Sequence, residues 1–252
     1  MDLGLHGRCY VATGASRGLG FATARALVDE GAHVVLSARD SSGVDDAVAE
    51  LGAAHAVGVP GDLADPALPD ALCGAALAHA GRLDGALISV GGPPPGGALE
   101  VTDEQWRQAF DAIFLGAVRL ARTVAAALTD GGSVAFVLSS SVRTPIGGLV
   151  VSNGLRPGLA MVAKTLADEL GSRGIRVNAL LPGRIATDRT LFLDESSGDA
   201  AAARAANQAA IPLGRYGEPA EFGRAAAFLL SPAASYITGT TLAVDGGALR
   251  GL

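Results

Sequence analysis

The chain has 252 residues, 49% of them hydrophobic, with 19 Lys+Arg against 25 Asp+Glu for a net charge of −6. That length holds either two small domains or one large α/β domain, and it buries a sizeable core without covalent staples. Two cysteines, Cys9 and Cys73, are too few for a disulfide framework and fit a reducing, cytoplasmic setting, while the acidic balance speaks against a nucleic-acid surface.

In chain order, the start MDLGLHGRCYVATG has an acid at position 2 and reaches a glycine-rich turn by residue 14, so no secretory signal is expected there. Arg8 to Thr13 reads as a strand, Leu19 to Glu30 as a helix capped by Gly31, and His33 to Ser37 as a second strand. Val44 to Leu51 is a helix, Ala54 to Val59 a third strand, and about Asp65 to Ala80 a helix. Gly85 to Val90 is a fourth strand. Thr102 is a plausible N-cap for a long helix to about Leu128, with Asp103 and Glu104 in its first turn. Ser133 to Leu138 is a fifth strand, Leu159 to Leu170 a helix and Ile175 to Leu180 a sixth strand. Residues 184–216 read as a looser segment, with 190–212 its mobile part. A helix around Pro219 to Leu230 and a strand at Thr241 to Val244 close the series. No run of about 18 apolar residues occurs, so no membrane span is expected.

Strands that are continuously apolar are buried on both faces, and strand–helix alternation predicts a parallel sheet covered by helices on both sides. The Gly91 to Gly97 cluster follows a strand directly and reads as a rigid loop rather than a boundary, so residues 1–252 are read as one domain.

The first strand runs into Thr13-Gly14-Ala15-Ser16-Arg17-Gly18-Leu19-Gly20, and a helix opens at once. Such glycines let backbone approach a pyrophosphate, while the helix N-terminus offers N–H groups and a positive dipole. Here the sequence resembles the short-chain dehydrogenase/reductase family, whose TGxxxGxG motif matches Thr13, Gly14, Gly18 and Gly20. The resemblance spans essentially the whole chain. Asp62-Leu63 looks like the family's adenine-binding turn, and Ser89 and Gly91 stand in its Asn-Asn-Ala-Gly stretch. Pro182-Gly183, with Ile185 and Thr187, looks like the nicotinamide-side loop; Ser235 to Gly239 and Val244 to Gly247 match the carboxyl-terminal signature. The resemblance implies a Rossmann-type, doubly wound three-layer sandwich with a seven-stranded parallel sheet in the order 3-2-1-4-5-6-7. It also implies a homotetramer or homodimer acting on a small molecule.

Cofactor choice follows from charge. An NAD-type site places an acid at the end of the second strand, where it binds the ribose 2′-hydroxyl. That stretch reads Ser37-Ala38-Arg39, without the acid, and Arg39 and Arg17 are suited to a 2′-phosphate. NADP(H) is the expected cofactor, and two solvated surface arginines are the alternative.

The resemblance implies a Ser, a Tyr-x-x-x-Lys pair and a helix Asn as catalytic residues, and here the sequence departs. Counting back 22 residues from Asn178 puts the Lys position on Arg156 and the Tyr position on Ser152, while the helix Asn falls on Ile113. Ser139, 13 residues before Ser152, keeps the family spacing, with Ser140 and Ser141 as runners-up. Tyr10, Tyr216 and Tyr236 are all elsewhere in the chain, and Lys164, the one lysine, is two helical turns past Arg156. Ser139, Ser152 and Arg156 are thus the candidate catalytic residues, in an arrangement that resembles a divergent subgroup similar to 3-oxoacyl-carrier-protein reductases. No metal site is expected. His6, His33, His55 and His79 are read as solvated and share no ligand spacing; Cys9, Cys73 and Trp106 are read as packing residues.

Three functions remain open: an NADPH-dependent reductase of a carbonyl or activated double bond in a small, neutral, apolar substrate; a non-redox dehydratase, isomerase or cyclase; and a catalytically silent nucleotide-binding protein. The loops Gly92 to Gly97 and Pro145 to Val151 are expected to form an apolar mouth.

Overall fold

Short apolar runs build the frame. β1 (Cys9–Thr13), β2 (His33–Ser37), β3 (Ala56–Gly58), β4 (Gly85–Ser89), β5 (Gly132–Val137), β6 (Ile175–Pro182) and β7 (Thr241–Val244) pair throughout in parallel, in the order β3-β2-β1-β4-β5-β6-β7. The computed structural model describes residues 2–129, 131–195 and 198–251. Successive strand residues point to opposite faces. Cys9 and Val11 of β1, Ile88 of β4 and Phe136 of β5 therefore feed one core, while Tyr10, Ala12, Leu87 and Ala135 feed the other.

The second core is roofed by α1 (Gly18–Asp29), α2 (Ser41–Leu51) and α9 (Pro219–Leu230). The first lies under α3 (Leu68–Ala80), α4 (Asp103–Ala109), α5 (Gly116–Ala127) and α6 (Val150–Leu170). At the amino edge of the sheet, buried Asp84 receives the Cys9 N–H (2.9 Å) and hydrogen bonds from Arg8 and Arg82. Burial alone would push its carboxyl up. Those bonds and the two guanidinium charges hold it below the usual value.

The helix from Thr102 starts as expected, with a capping box. The Gln105 N–H reaches Thr102 Oγ1, and Gln105 Oε1 accepts the Thr102 N–H (2.9 Å). It is not α-helical throughout: Phe110–Leu115 forms a π-helical stretch joining α4 to α5. Glycines let this helix approach α6, because a Cβ on Gly154 would sit 2.8 Å from the Trp106 ring and one on Gly158 2.9 Å from Phe114.

Three readings change. The helix expected at Leu159 begins at Val150, with Pro157 inside it. Burial of Val151, Ser152, Arg156 and Leu159 along one face outweighs the bond that proline removes. The segment read as loose instead forms α7 (Asp188–Glu195) and α8 (Ala200–Ala210). It is anchored by polar groups rather than apolar ones. Buried Asp194 of α7 accepts from Tyr216 Oη (2.9 Å), from Asn207 of α8 and from Arg184. Three of the four histidines read as solvated gather instead at the amino edge of the sheet, while His6 is exposed as read. His33 stacks on His55 (5.4 Å between centroids) and meets His79 edge-on (5.3 Å), and three ring nitrogens are buried without hydrogen-bond partners.

Candidate functional site

A single cleft of about 1640 Å³ opens along the carboxyl ends of the strands. It lies across β1 and β4, where the chain order of the sheet reverses, the usual ligand crevice of open α/β sheets. Every expected site residue lines it: Gly14, Ser16, Arg17, Gly18, Leu19, Gly20, Arg39, Asp62, Leu63, Ser89, Gly91, Ser139, Ser152, Arg156, Pro182, Gly183, Ile185 and Thr187.

The glycine turn is shaped for close approach. Gly14 and Gly18 have φ of +57° and +61°, which side-chain-bearing residues rarely adopt. A Cβ on Gly14 would lie 2.9 Å from the Ser89 carbonyl oxygen, and one on Gly20 would collide with the Gly14 carbonyl. Thr13 stitches this turn to the end of β4, its Oγ1 donating to the Ser89 carbonyl (2.8 Å) and accepting the Ser89 N–H (3.0 Å). The first N–H groups of α1 therefore face the cleft, a cradle for a phosphate. Arg39 is exposed at one end, beside Asp62 and Leu63 in the lining. Arg17, also exposed, reaches Asp188 across the opening at 3.4 Å. These residues fit a dinucleotide carrying an extra phosphate.

At the other end stand the serines. Ser139 caps the short 3₁₀ turn Ser140–Val142, its Oγ accepting the Ser141 N–H (3.1 Å), and both Ser139 and Ser140 line the cleft. Ser141 lies beneath them, buried, with its Oγ 3.0 Å from Ser152 Oγ. Arg156, one turn further along α6, is buried. Its Nη1 donates to the Val137 and Leu138 carbonyls, both at 2.9 Å. Burial and the like charge of Arg189 push its pKa down to about 10, so it stays charged at neutral pH.

No tyrosine, lysine or histidine is among the residues that line this cleft. Tyr10 is in the core and donates to the Leu230 carbonyl, and burial raises its pKa. Tyr216 is tied to Asp194, Tyr236 is fully exposed, and Lys164 lines a separate recess near Gly239. Ile113 is buried at the cleft wall in the π-helical stretch. Cys9 and Cys73 are core residues whose thiols burial pushes up to about 12 and about 11.

The expected apolar mouth forms, with Gly96 bridged in parallel to Leu149 and hydrogen-bonded to Gly148 (2.7 Å). Two residues there, Asn153 and Arg189, escaped the sequence reading. Asn153 pins this mouth to α6 by accepting the Ile146 N–H (3.0 Å) and donating to its carbonyl (2.9 Å). Ser141, a runner-up to Ser139 in the sequence reading, supplies the partner of Ser152. Arg189 lies across the mouth, its Nη2 donating to the Pro93 carbonyl (3.0 Å). Its one sequence signal is a charge two residues after Thr187, on the loop that faces the cleft.

Known proteins agree with this geometry. Residues 14–248 match the family described as Enoyl-(Acyl carrier protein) reductase. An uncharacterised oxidoreductase of Mycobacterium tuberculosis is 39% identical over 246 residues, covering 93% of this chain and 88% of that protein. Galactitol 2-dehydrogenase (L-tagatose-forming) of Cereibacter sphaeroides is 36% identical, covering 96% and 95%. The crystal structure of L-sorbose reductase from Gluconobacter frateurii, complexed with NADPH and L-sorbose, superposes with a TM-score of 0.94 at 30% identity over the whole of both chains. The glycine turn between β1 and α1, the seven-stranded parallel sheet and a match that runs nearly end to end place this chain in the short-chain dehydrogenase/reductase family of oxidoreductases.

Proposed function

We propose that the protein is an NADPH-dependent oxidoreductase that acts on a carbonyl or activated double bond of a small substrate through an atypical active site. The observation that carries this reading is one continuous cleft. It joins the phosphate cradle, with Arg17 and Arg39 at its mouth, to the hydroxyls of Ser139, Ser140 and Ser152. The NADPH complex of the related L-sorbose reductase supports the cofactor.

In this reading Gly14 to Gly20 and the start of α1 hold the pyrophosphate, Arg39 and Arg17 the 2′-phosphate, and Asp62-Leu63 the adenine. Pro182, Gly183, Ile185 and Thr187 flank the nicotinamide, facing Ser89 and Gly91. Bound there, NADPH supplies the hydride, and the protein orients its acceptor. Ser139 and Ser140 donate hydrogen bonds to the substrate oxygen and stabilise charge as it develops. Arg156 adds a fixed positive charge behind them and moves no proton. The proton comes from water or from the substrate itself, because Ser152 has Ser141 as its partner and no base beside it. The family resemblance implies a homodimer or homotetramer, and the two free, buried cysteines fit a reducing, cytoplasmic setting.

The direct experiment is NADPH oxidation with a panel of ketones and enones, alongside an NADPH binding titration. Turnover supports the reading. A changed product without oxidation points to the second reading, a dehydratase, isomerase or cyclase, which the tyrosine- and lysine-free cleft wall favours. Binding without any product marks a silent nucleotide-binding protein.

A further inference from the structure

The cleft wall is positive in a chain that is negative overall. Six arginines line it against four aspartates, Asp40, Asp62, Asp188 and Asp245, although the chain carries a net charge of −6. Three of the six have evident work. Arg39 stands at the adenine end, Arg17 pairs with Asp188, and Arg184 pairs with buried Asp194. The others, Arg156, Arg189 and Arg250, make no ion pair among the described residues.

Arg189 is the one of the three that lies against the Gly92–Pro93 loop of the mouth. It is half-buried on α7 with its guanidinium carbon 5.7 Å from the centre of the Phe192 ring. It packs so closely on Gly92 that a Cβ there would lie 2.8 Å from its Nε. A single hydrogen bond, to the Pro93 carbonyl, holds one edge of the fork. Ring, glycine and carbonyl together hold the guanidinium plane in place over the mouth. Burying two like charges near one another without an anion is costly. The desolvation and mutual repulsion that lower the pKa of Arg156 are that cost expressed in a titration.

We propose that Arg189 is a specificity residue for the proposed oxidoreductase, binding the carboxylate of an anionic substrate. Planar, bidentate pairing suits a guanidinium to a carboxylate better than to a point charge or a neutral ester. Val90, Pro94, Ile146 and Leu149 line the same cleft and give it apolar wall. The substrate class is therefore an oxo acid, or the corresponding hydroxy acid, with an apolar carbon skeleton: carboxylate at Arg189, reacting oxygen at Ser139 and Ser140. The cofactor's phosphates do not need this arginine, because the glycine turn, the α1 terminus, Arg17 and Arg39 serve them. The expectation of a neutral substrate gives way to one with an apolar body and a charged end.

The inference rests on the oxidoreductase reading, and the test separates the two. NADPH affinity is first titrated on the wild-type protein; failure to bind overturns the oxidoreductase reading itself. The NADP⁺-saturated protein is then titrated calorimetrically with two matched pairs of probes, 4-phenyl-2-oxobutanoate and 3-oxohexanoate and the methyl ester of each. At least one acid should bind roughly 10-fold or more tightly than its ester, as for a hydrogen bond to a charged partner. Arg189→Met should remove that preference and Arg189→Lys should restore part of it. Three results overturn the proposal: esters that bind as well as the acids in both pairs, no binding by any of the four probes, or a preference that survives Arg189→Met. A fourth is an Arg189→Met variant that loses NADPH affinity about 10-fold with the acid preference intact, which assigns this arginine to the cofactor's phosphates.

Discussion

Ser141 Oγ lies 3.0 Å from Ser152 Oγ, buried beneath the turn that presents Ser139 and Ser140 to the cleft. The pair satisfies the Ser152 hydroxyl from within the protein, so the residue at the position where the family resemblance implies a tyrosine is held by another hydroxyl. Beside it, Arg156 spends Nη1 on two backbone carbonyls. Structural hydrogen bonds thus hold both side chains at the positions where the family resemblance implies a proton donor and its tuning charge.

Restoring those groups should therefore raise carbonyl reduction. Ser152→Tyr with Arg156→Lys is expected to increase NADPH-dependent turnover of an accepted ketone by about 10²–10⁴-fold, the usual worth of a general acid. A lysine ammonium can still donate to the Val137 and Leu138 carbonyls, whereas Ser152→Tyr alone leaves the rigid guanidinium in place and should gain less. Steady-state kinetics of the three proteins decide it. A double variant that binds NADPH normally yet reduces nothing more than wild type would show that the pocket, not the proton donor, sets the activity.

Cofactor preference should turn on Arg39. Arg39→Asp removes an exposed guanidinium at the end of β2 and supplies the acid that would hold a ribose 2′-hydroxyl. NADPH binding is expected to weaken by about 1–3 kcal/mol, with NADH binding unchanged or improved. Fluorescence titration of both nucleotides measures it; equal losses for the two would remove Arg39 from the 2′-phosphate site.

The histidine cluster should make stability fall with acid. Burial first, then the neighbouring His79, His55 and His6, lower the His33 pKa from its ordinary 6.5. The unfolded chain then binds the extra proton more readily than the folded one. Stability is complete above about pH 6.5 and declines as pH falls from there toward the lower folded value. Urea midpoints at pH 7.5 and 5.5 should differ more in wild type than in His33→Leu. An identical drop in both would place the acid sensitivity elsewhere.

Asp194 should govern the order of α7 and α8. It accepts from Arg184, Asn207 and Tyr216 in a buried position, and burial raises the pKa of the Tyr216 phenol it receives. Asp194→Ala would strand those donors at a cost of about 1–3 kcal/mol. Hydrogen exchange should then quicken across residues 188–210 while the β1 and β5 amides keep their protection. Unchanged exchange in both helices would mean that other contacts hold them. In the wild type, this segment is still expected to exchange faster than the sheet, since α8 buries no residue fully.

The strands and the glycine turn were legible along the chain, because each rests on local chemistry; the sheet order was legible only through the family resemblance that the glycine turn carries. Short continuous apolar runs, a glycine spacing that permits positive φ, and strand–helix alternation need no distant partner to be recognised. The reading that Ser152 and Arg156 stand where the family resemblance implies a tyrosine and a lysine rests on spacing from Asn178. What lies in between was decided only in three dimensions. Pro157 and Gly154 mark a helix break by propensity, yet α6 runs through them because Val151, Ser152 and Arg156 are buried on one face. Residues 188–210 offer few large apolar anchors in sequence, and Asp194 ties their helices to Tyr216, 22 positions away. Four histidines with no common spacing include three that meet because β2, β3 and α3 share the amino edge of the sheet. Arg189 faces Pro93, 96 residues earlier, and only the fold brings that charge over the substrate mouth. Backbone preference and apolar pattern act over a few residues and can be read one residue after another, whereas burial, pairing and field at a point depend on which distant groups the fold assembles there.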